Sequence, residues 1–394
     1  MATDIVTRAG AALGVAIGLW LGIPVAAHAE TGLDVAQFGA RCDDATDDTK
    51  SFQAAIDAAT TRNVPLSLSG TCRVRTLRAP ATAKTFILEG NNGTLRFLDG
   101  GLVLSAPKPG TAVIPYIIRN LRLRSVNAYT DTAISVTGAF KGVVENVNID
   151  RFRNGVELIA TSDNVIRGSF FDSFGDSNAV VISGTMAANN TVSAYASNNT
   201  VSDVTDIHGT GIFIGPGVQG TKIRNLRVLE AWYGMYAVDG KDDEDLSVSD
   251  SYLEGKRAGI FADGVDLTRV VNCSADLPSS GADPGWAGFH LDRMYGGILA
   301  NSSVWGAAAA RSPVIVAGGN INVIGNQVTG IANGPCMRLI PFPKPDDSPL
   351  LVSNNTCWAS GGYEVVGHGP IAGSNNLWSR PGDHHLMIRN FPAP

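Results

Sequence analysis

Asp263, His290, Asp292 and Arg293 could act together if two segments of this chain lie side by side as strands. "AGIFADG" at Ala258 and "AGFHLDR" at Ala287 carry Asp263 and Asp292 at the same position of one pattern, with His290 two residues earlier and Arg293 one later. Two carboxylates one strand spacing apart couple electrostatically, so that one keeps a proton and serves as an acid while the other stays ionised. Asp239 stands one residue out of that register, and Tyr236, Lys256 and Arg257 fall nearby. Asp239, Asp263 and Asp292 also make an oxygen set of the kind that holds Ca²⁺, with Arg257, Arg293, Tyr236 or His290 left to move a proton. The competing reading is a solvated polar edge neutralised by its cations.

Only strands stacked in register would assemble such a group. Segments of the form Gly-apolar-x-apolar recur: "NGVELIA" at Asn154, "NAVVISG" at Asn178, "GTGIFIG" at Gly209, "YGMYAVD" at Tyr233, then the two above, then "RSPVIVA" at Arg311. The steps between Gly155, Ala179, Gly211, Gly234, Gly259, Gly288 and Pro313 run from 23 to 32 residues, the length of one solenoid coil. Side chains alternate across a strand, so Val156, Val180, Ile212, Met235, Ile260, Phe289 and Val314 point inward. Their successors Glu157, Val181, Phe213, Tyr236, Phe261, His290 and Ile315 point outward. Phe213, Tyr236, Phe261 and His290 then form a ladder, flanked by Trp232, Tyr233 and Trp286, which suits either sugar rings or mutual stacking. A second strand in each coil ends in an amide or acid: Asn120, Asn146, Asp203, Asn225, Asp250, Asn272, Asn301, Asn326 and Asn355, with Gly168 breaking the series. Such residues tolerate tight turns and bond across coils. The fold class is all-β, a parallel β-helix.

A solenoid needs its open end covered. "DDTKSFQAAIDAA" supplies Asp48 or Thr49 as an N-cap and Phe52, Ala55, Ile56 and Ala59 at helical spacing. The stretch "FGARCDDATDDTKSFQAAIDAA" resembles the N-terminal signature of the pectate-lyase-like right-handed β-helix superfamily, in the branch that includes glycoside hydrolase family 28-related proteins and phage tailspikes. The segment is structural in that branch, so the resemblance implies that Asp43, Asp44, Asp47 and Asp48 are structural in preference to a metal site. The resemblance implies a single-stranded right-handed helix with a cap over about 34–60, coils over about 64–378 and a tail at 379–394. It also implies a polysaccharide ligand.

Two mechanisms on that fold stay open. A glycoside hydrolase needs two carboxylates flanking the bond. A polysaccharide lyase needs a cation to neutralise a uronate and a base for the adjacent proton. Family 28 polygalacturonases carry N-T-D, D-D, G-H-G and R-I-K motifs on successive coils. Here Asn154 is followed by Gly155, Asp176 by Ser177, His208 matches the family's His, and R-I-K is missing. An intact polygalacturonase mechanism is not expected, and Asp176 with His208 is a second candidate site. "YGMYAVD" is faintly similar to the Y-G-x-D-P-H strand of alginate epimerases but lacks the Pro-His.

Met1–Ala29, with Arg8, an apolar run and an Ala27-His28-Ala29 exit, reads as a secretory signal peptide, so the mature chain of 30–394 is expected to be secreted or periplasmic. A net charge of −6 and a pI near 5.5 leave no basic stripe for nucleic acid, and no later segment is apolar enough to enter a membrane. Five cysteines in an exported chain suggest Cys42–Cys72 and Cys336–Cys357 pairs, with Cys273 as a buried thiol. "DGKDDED" at Asp239 reads as a solvated loop, and His384 with His385 as a tail pair. The combined expectation is an exported lyase or hydrolase acting on an acidic polysaccharide, against a non-catalytic carbohydrate-binding or surface-structural solenoid and, third, a tailspike-like adhesin. Oligomeric state is left undetermined.

Overall fold

Strands this short hold together only when each lies on an identical neighbour. The computed structural model describes residues 32–80, 85–105, 115–139, 141–173, 175–188, 191–238, 245–266, 268–277, 281, 283, 285–305, 315–329, 335–342, 349–358, 362–367 and 369–378, and the backbone of 387–391. The expected leader, Asp239, His384 and His385 lie outside the described residues. Among the described residues, thirty-four strands join in one sheet that winds as a parallel β-helix.

Each full coil has three strands, not the two that the sequence pattern showed. Thr200–Ser202, Thr205–Ile207 and Thr210–Ile214 make one coil. The next coils fall on it in parallel register: Val201 on Ile223 and then Val248, Asp206 on Val228 and then Leu253, and Ile212 on Met235 and then Ile260. Several of the missed middle strands, Phe170–Asp172, Thr205–Ile207 and Ser274–Asp276 among them, are three residues long, too short for alternation to stand out from noise. Apart from Asp206, inward residues of this column such as Phe171, Val228, Leu253 and Ala275 join the other two columns in a continuous apolar core.

The glycines of the repeat exist for close approach. A Cβ on Gly234 would lie 2.4 Å from the Gly259 carbonyl oxygen and 2.7 Å from Leu253, and one on Gly259 would lie 2.7 Å from both the Gly288 carbonyl and Ala275. The amide-and-acid corner is equally demanding. Asn120, Asn146, Asp203, Asn225, Asp250, Asn272 and Asn301 all adopt positive φ, and Gly168 and Gly325 do so at the same corner. Their side chains bond coil to coil, as in Asn146 Nδ2 to Asn120 Oδ1 at 2.7 Å and Asn225 Nδ2 to Asp203 Oδ1 at 2.7 Å. Asn326 and Asn355 are a correction, because the corner there belongs to Gly325 and Asn354. They sit one residue further in, as a buried ladder running Asn326, Asn355, Asn376 with 3.0 Å amide bonds.

The cap is a helix over Thr49–Arg62 that buries Phe52, Ala55, Ile56 and Ala59. Asp48 is 2% exposed and accepts the backbone N–H groups of Arg41 and Cys42. Asp43 closes a turn through Ala45 and Thr46, Asp44 pairs with Arg96, and Asp47 with Thr49 and Arg75. The aspartates are structural. Cys42 is bonded to Cys72 and Cys336 to Cys357, while Cys273 is free and buried, its thiol pushed up to about 11 by desolvation. Within the expected tail, Met387–Phe391 pairs antiparallel with Ile371–Trp378 and covers that strand's edge. No helix among the described residues is long and apolar enough to cross a membrane.

Candidate functional site

The outward column of the Gly-apolar strands assembles as its alternation requires. Phe213 pairs with Tyr236, Tyr236 with Phe261, and Phe261 with His290. Ring centroids lie 5.8, 5.2 and 4.5 Å apart along that series, and the last two pairs are stacked. Tyr233 packs on Tyr236 at 4.6 Å, and Trp232 lies under the Arg257 guanidinium at 4.9 Å and the Lys256 ammonium at 5.5 Å. Beyond His290 the expected register slips by one. Ile315 pairs with Phe289 and points inward, and Val316 is the outward partner of His290.

Trp286 does not join the outward aromatics. It is 1% exposed, and its indole N–H donates to the Gly255 carbonyl at 2.7 Å. The ring is large enough to fill the corner, and its one donor is satisfied by that carbonyl.

Asp263 and Asp292 are register partners on adjacent coils. Each carboxylate has a donor of its own. Arg293 takes left-handed φ, 53°, and turns its guanidinium back onto the preceding coil. There Nε lies 2.6 Å from Asp263 Oδ1 and Nη2 2.8 Å from Oδ2, a two-pronged ion pair. Asp292 Oδ1 accepts the backbone N–H of Arg293 at 2.8 Å. Both oxygens of Asp263 are thus committed to the Arg293 guanidinium, and Asp239, the third member of the oxygen set expected for Ca²⁺, lies outside the described residues. Among the described residues, the only three donors close enough to share an ion are Cys42, Asp48 and Cys72, whose thiols are joined in the disulfide.

Tyr233, Arg257, Phe261, Asp283, Ala287 and His290 line a cleft of about 260 Å³. Burial pushes the His290 imidazole below its ordinary 6.5, Asp292 and Asp263 pull it partly back, and Arg338 pushes it down again. The ring is therefore neutral at pH 7 and able to accept a proton. Burial raises the Tyr236 phenol, with Tyr233 and Asp263 adding to the rise against Arg257, so it holds its proton. Arg257 is kept protonated by hydrogen bonds to Tyr233 and Asp283, the latter at 3.1 Å. Asp283 escaped sequence reasoning because "SSGADPGW" belongs to no repeat register.

Of the second candidate pair, His208, itself at φ 67°, has its Nδ1 3.5 Å from Asp172, and Asp176 lines a larger cleft of about 600 Å³ with Tyr129, Thr130, Arg153, Gly175 and Ser177.

No protein-family model matches the sequence, and no curated protein is detectably similar to it. Among solved structures, the A-module of mannuronan C-5 epimerase AlgE6 from Azotobacter vinelandii is similar at TM-score 0.60 and 16% identity, covering 88% of this chain and 98% of that one. The N-terminal fragment of bacteriophage Phi29 gene product 12 is similar at TM-score 0.59 and 16% identity, over 88% of this chain and 66% of that one. PfbA, a surface adhesin of Streptococcus pneumoniae, is similar at TM-score 0.52 and 13% identity, over 91% and 94%. At such identities the likeness speaks for fold alone. The stacked parallel coils, the N-terminal cap and these three likenesses identify the fold as a right-handed parallel β-helix.

Proposed function

We propose that this protein acts on an acidic polysaccharide in the cleft between Tyr233 and His290, by removing the proton beside a uronate carboxylate. The observation that carries the reading is His290, a neutral imidazole at the end of an aromatic stack, lining a cleft that also holds the protonated Arg257. The stack offers flat apolar faces to a sugar ring, and Arg257 offers positive charge to its carboxylate. His290 takes the proton on the carbon next to that carboxylate, and the C–H electron pair becomes a new C=C bond. The glycosidic C–O bond to the departing sugar breaks, and its oxygen gains a proton from solvent. Hydrolysis is the weaker reading, because Asp263 is held by Arg293 and Asp283 by Arg257, whereas that mechanism needs two carboxylates free to act. The likeness to a mannuronan epimerase accords with a uronate ligand. The two disulfides accord with export to an oxidising compartment.

A non-catalytic carbohydrate-binding role is favoured by a different observation, that the rings already stack on one another and both arginines already have carboxylate partners. The likeness to an adhesin is in keeping with it. The test is incubation of the mature chain with a panel of uronate polysaccharides, with and without calcium, read by the ultraviolet absorbance of unsaturated uronate and by new reducing ends. Absorbance that disappears in His290→Ala supports elimination at this cleft. Reducing ends without absorbance mean hydrolysis, and binding without either product means a lectin.

A further inference from the structure

The larger cleft lies on the same edge of the solenoid as the aromatic one. Thr132, Asn154, Asn178, Thr210, Tyr233, Ala258 and Ala287 begin the Gly-apolar strands and fall in one parallel column. Tyr129 and Thr130 precede the first of these strands, Arg153 the second, and Gly175, Asp176 and Ser177 the third. The aromatic cleft spans the last three. From Asn154 to Ala258 is four coil steps, or roughly 19 Å at ~4.8 Å per step.

Two features set the larger cleft apart from its surroundings. The arginines of flanking coils are ion-paired, Arg122 and Arg124 with Asp150 and Arg167 with Glu145. Arg153 and Asp176 are exposed and have no ion-pair partner among the described residues, although both line the same space. Tyr129 is held at φ 64°, a conformation bulky side chains rarely keep, by a hydrogen bond from its N–H to the Arg151 carbonyl at 2.9 Å. That geometry keeps the ring at the cleft wall.

We infer that the larger cleft is a second anchoring site for an anionic polysaccharide, which lies lengthwise along the edge and occupies both clefts at once. This rests on the reading of the aromatic cleft as a sugar site. The Arg153 guanidinium presents a planar fork to a uronate carboxylate, Asp176 and the Thr130 hydroxyl present partners to sugar hydroxyls, and Tyr129 presents a ring face. The protein is then selective for chain length, because only a chain that spans both clefts gains from the second contact.

The experiment is calorimetric titration with uronate disaccharides, which are too short to bridge the clefts, and with long chains of the same polymer. It is run on a His290→Ala background so that nothing is cleaved. The expected result is long-chain binding at least roughly 10²-fold tighter per chain than disaccharide binding. Arg153→Ala, and separately Tyr129→Gly, whose backbone suits positive φ, should each cut long-chain affinity at least about tenfold and remove the disaccharide binding event of the larger cleft, with the event at the aromatic cleft unchanged. Tyr233→Ala should weaken both ligands. If long-chain affinity survives Arg153→Ala and Tyr129→Gly, the second anchor is overturned and the aromatic cleft stands. If neither ligand binds the background protein, both readings fall.

Discussion

Asp206 is the sharpest test of how the interior is built. It points inward between Phe171 and Val228, is 0% exposed, and neither carboxyl oxygen has a hydrogen-bond partner at bonding distance among the described residues. Burial raises its pKa well above the ordinary 3.8, and Ser173 offsets this only in part. Below the ordinary value the folded and unfolded chains both carry the proton. Above it the unfolded chain releases the proton while the folded carboxyl keeps it, so the stability contribution is lost as pH rises towards the folded value. The slope is about 1.36 kcal/mol per pH unit. Asp206→Asn keeps the shape and removes the titration. In urea unfolding at a series of pH values from 3.8 up to neutrality, the variant should gain on the wild type by that slope until Asp206 itself ionises. A wild type and variant whose stability difference stays constant with pH would refute the idea of a buried, proton-keeping carboxyl.

Other outcomes follow from residues around the cleft and the ends of the solenoid. Phe261→Ala opens one face of His290 to water, so the His290 pKa should return towards 6.5 and the acid limb of the kcat/KM profile should move to higher pH; an unmoved limb would exclude His290 as the base. Trp286→Ala should cost about 3–5 kcal/mol in urea unfolding, and Trp286→Phe about 1–3 kcal/mol through the unsatisfied Gly255 carbonyl. Replacing Cys336 and Cys357 by Ser opens a bridge with a sequence separation of 21. The chain-entropy estimate for a loop of that size is about 3.4 kcal/mol, and it should appear as the gap between wild type and double variant that reductant closes.

The register of the Gly-apolar strands was legible because alternation and glycine spacing are both dictated by close packing. That alone placed Phe213, Tyr236, Phe261, His290, Asp263 and Asp292 on adjacent coils. What was not legible lies where side chains turn corners. Arg293 reaches back to Asp263 through a left-handed residue, and no strand pattern encodes that turn. Trp286, just before a strand, could as well face out as in, and the sequence does not encode the inward site that offers its indole the Gly255 carbonyl. The slip at Ile315 and the inward shift of Asn326 share a cause, since one residue of error beyond an irregular corner reverses every later side chain.

The asparagine corner bears on how such a chain can change over generations. Between corner residues the coils are 22 residues long from Asp203 to Asn225 and from Asp250 to Asn272, and 26 from Asn120 to Asn146. The corner keeps its geometry whatever the length between, so surplus residues collect elsewhere, as in the hairpin of Thr185–Met186 with Val192–Ala194. Insertions and deletions are thereby steered away from the pitch-setting edge. Ligand preference can drift by lengthening or trimming loops, while the stacking frame underneath is inherited unaltered.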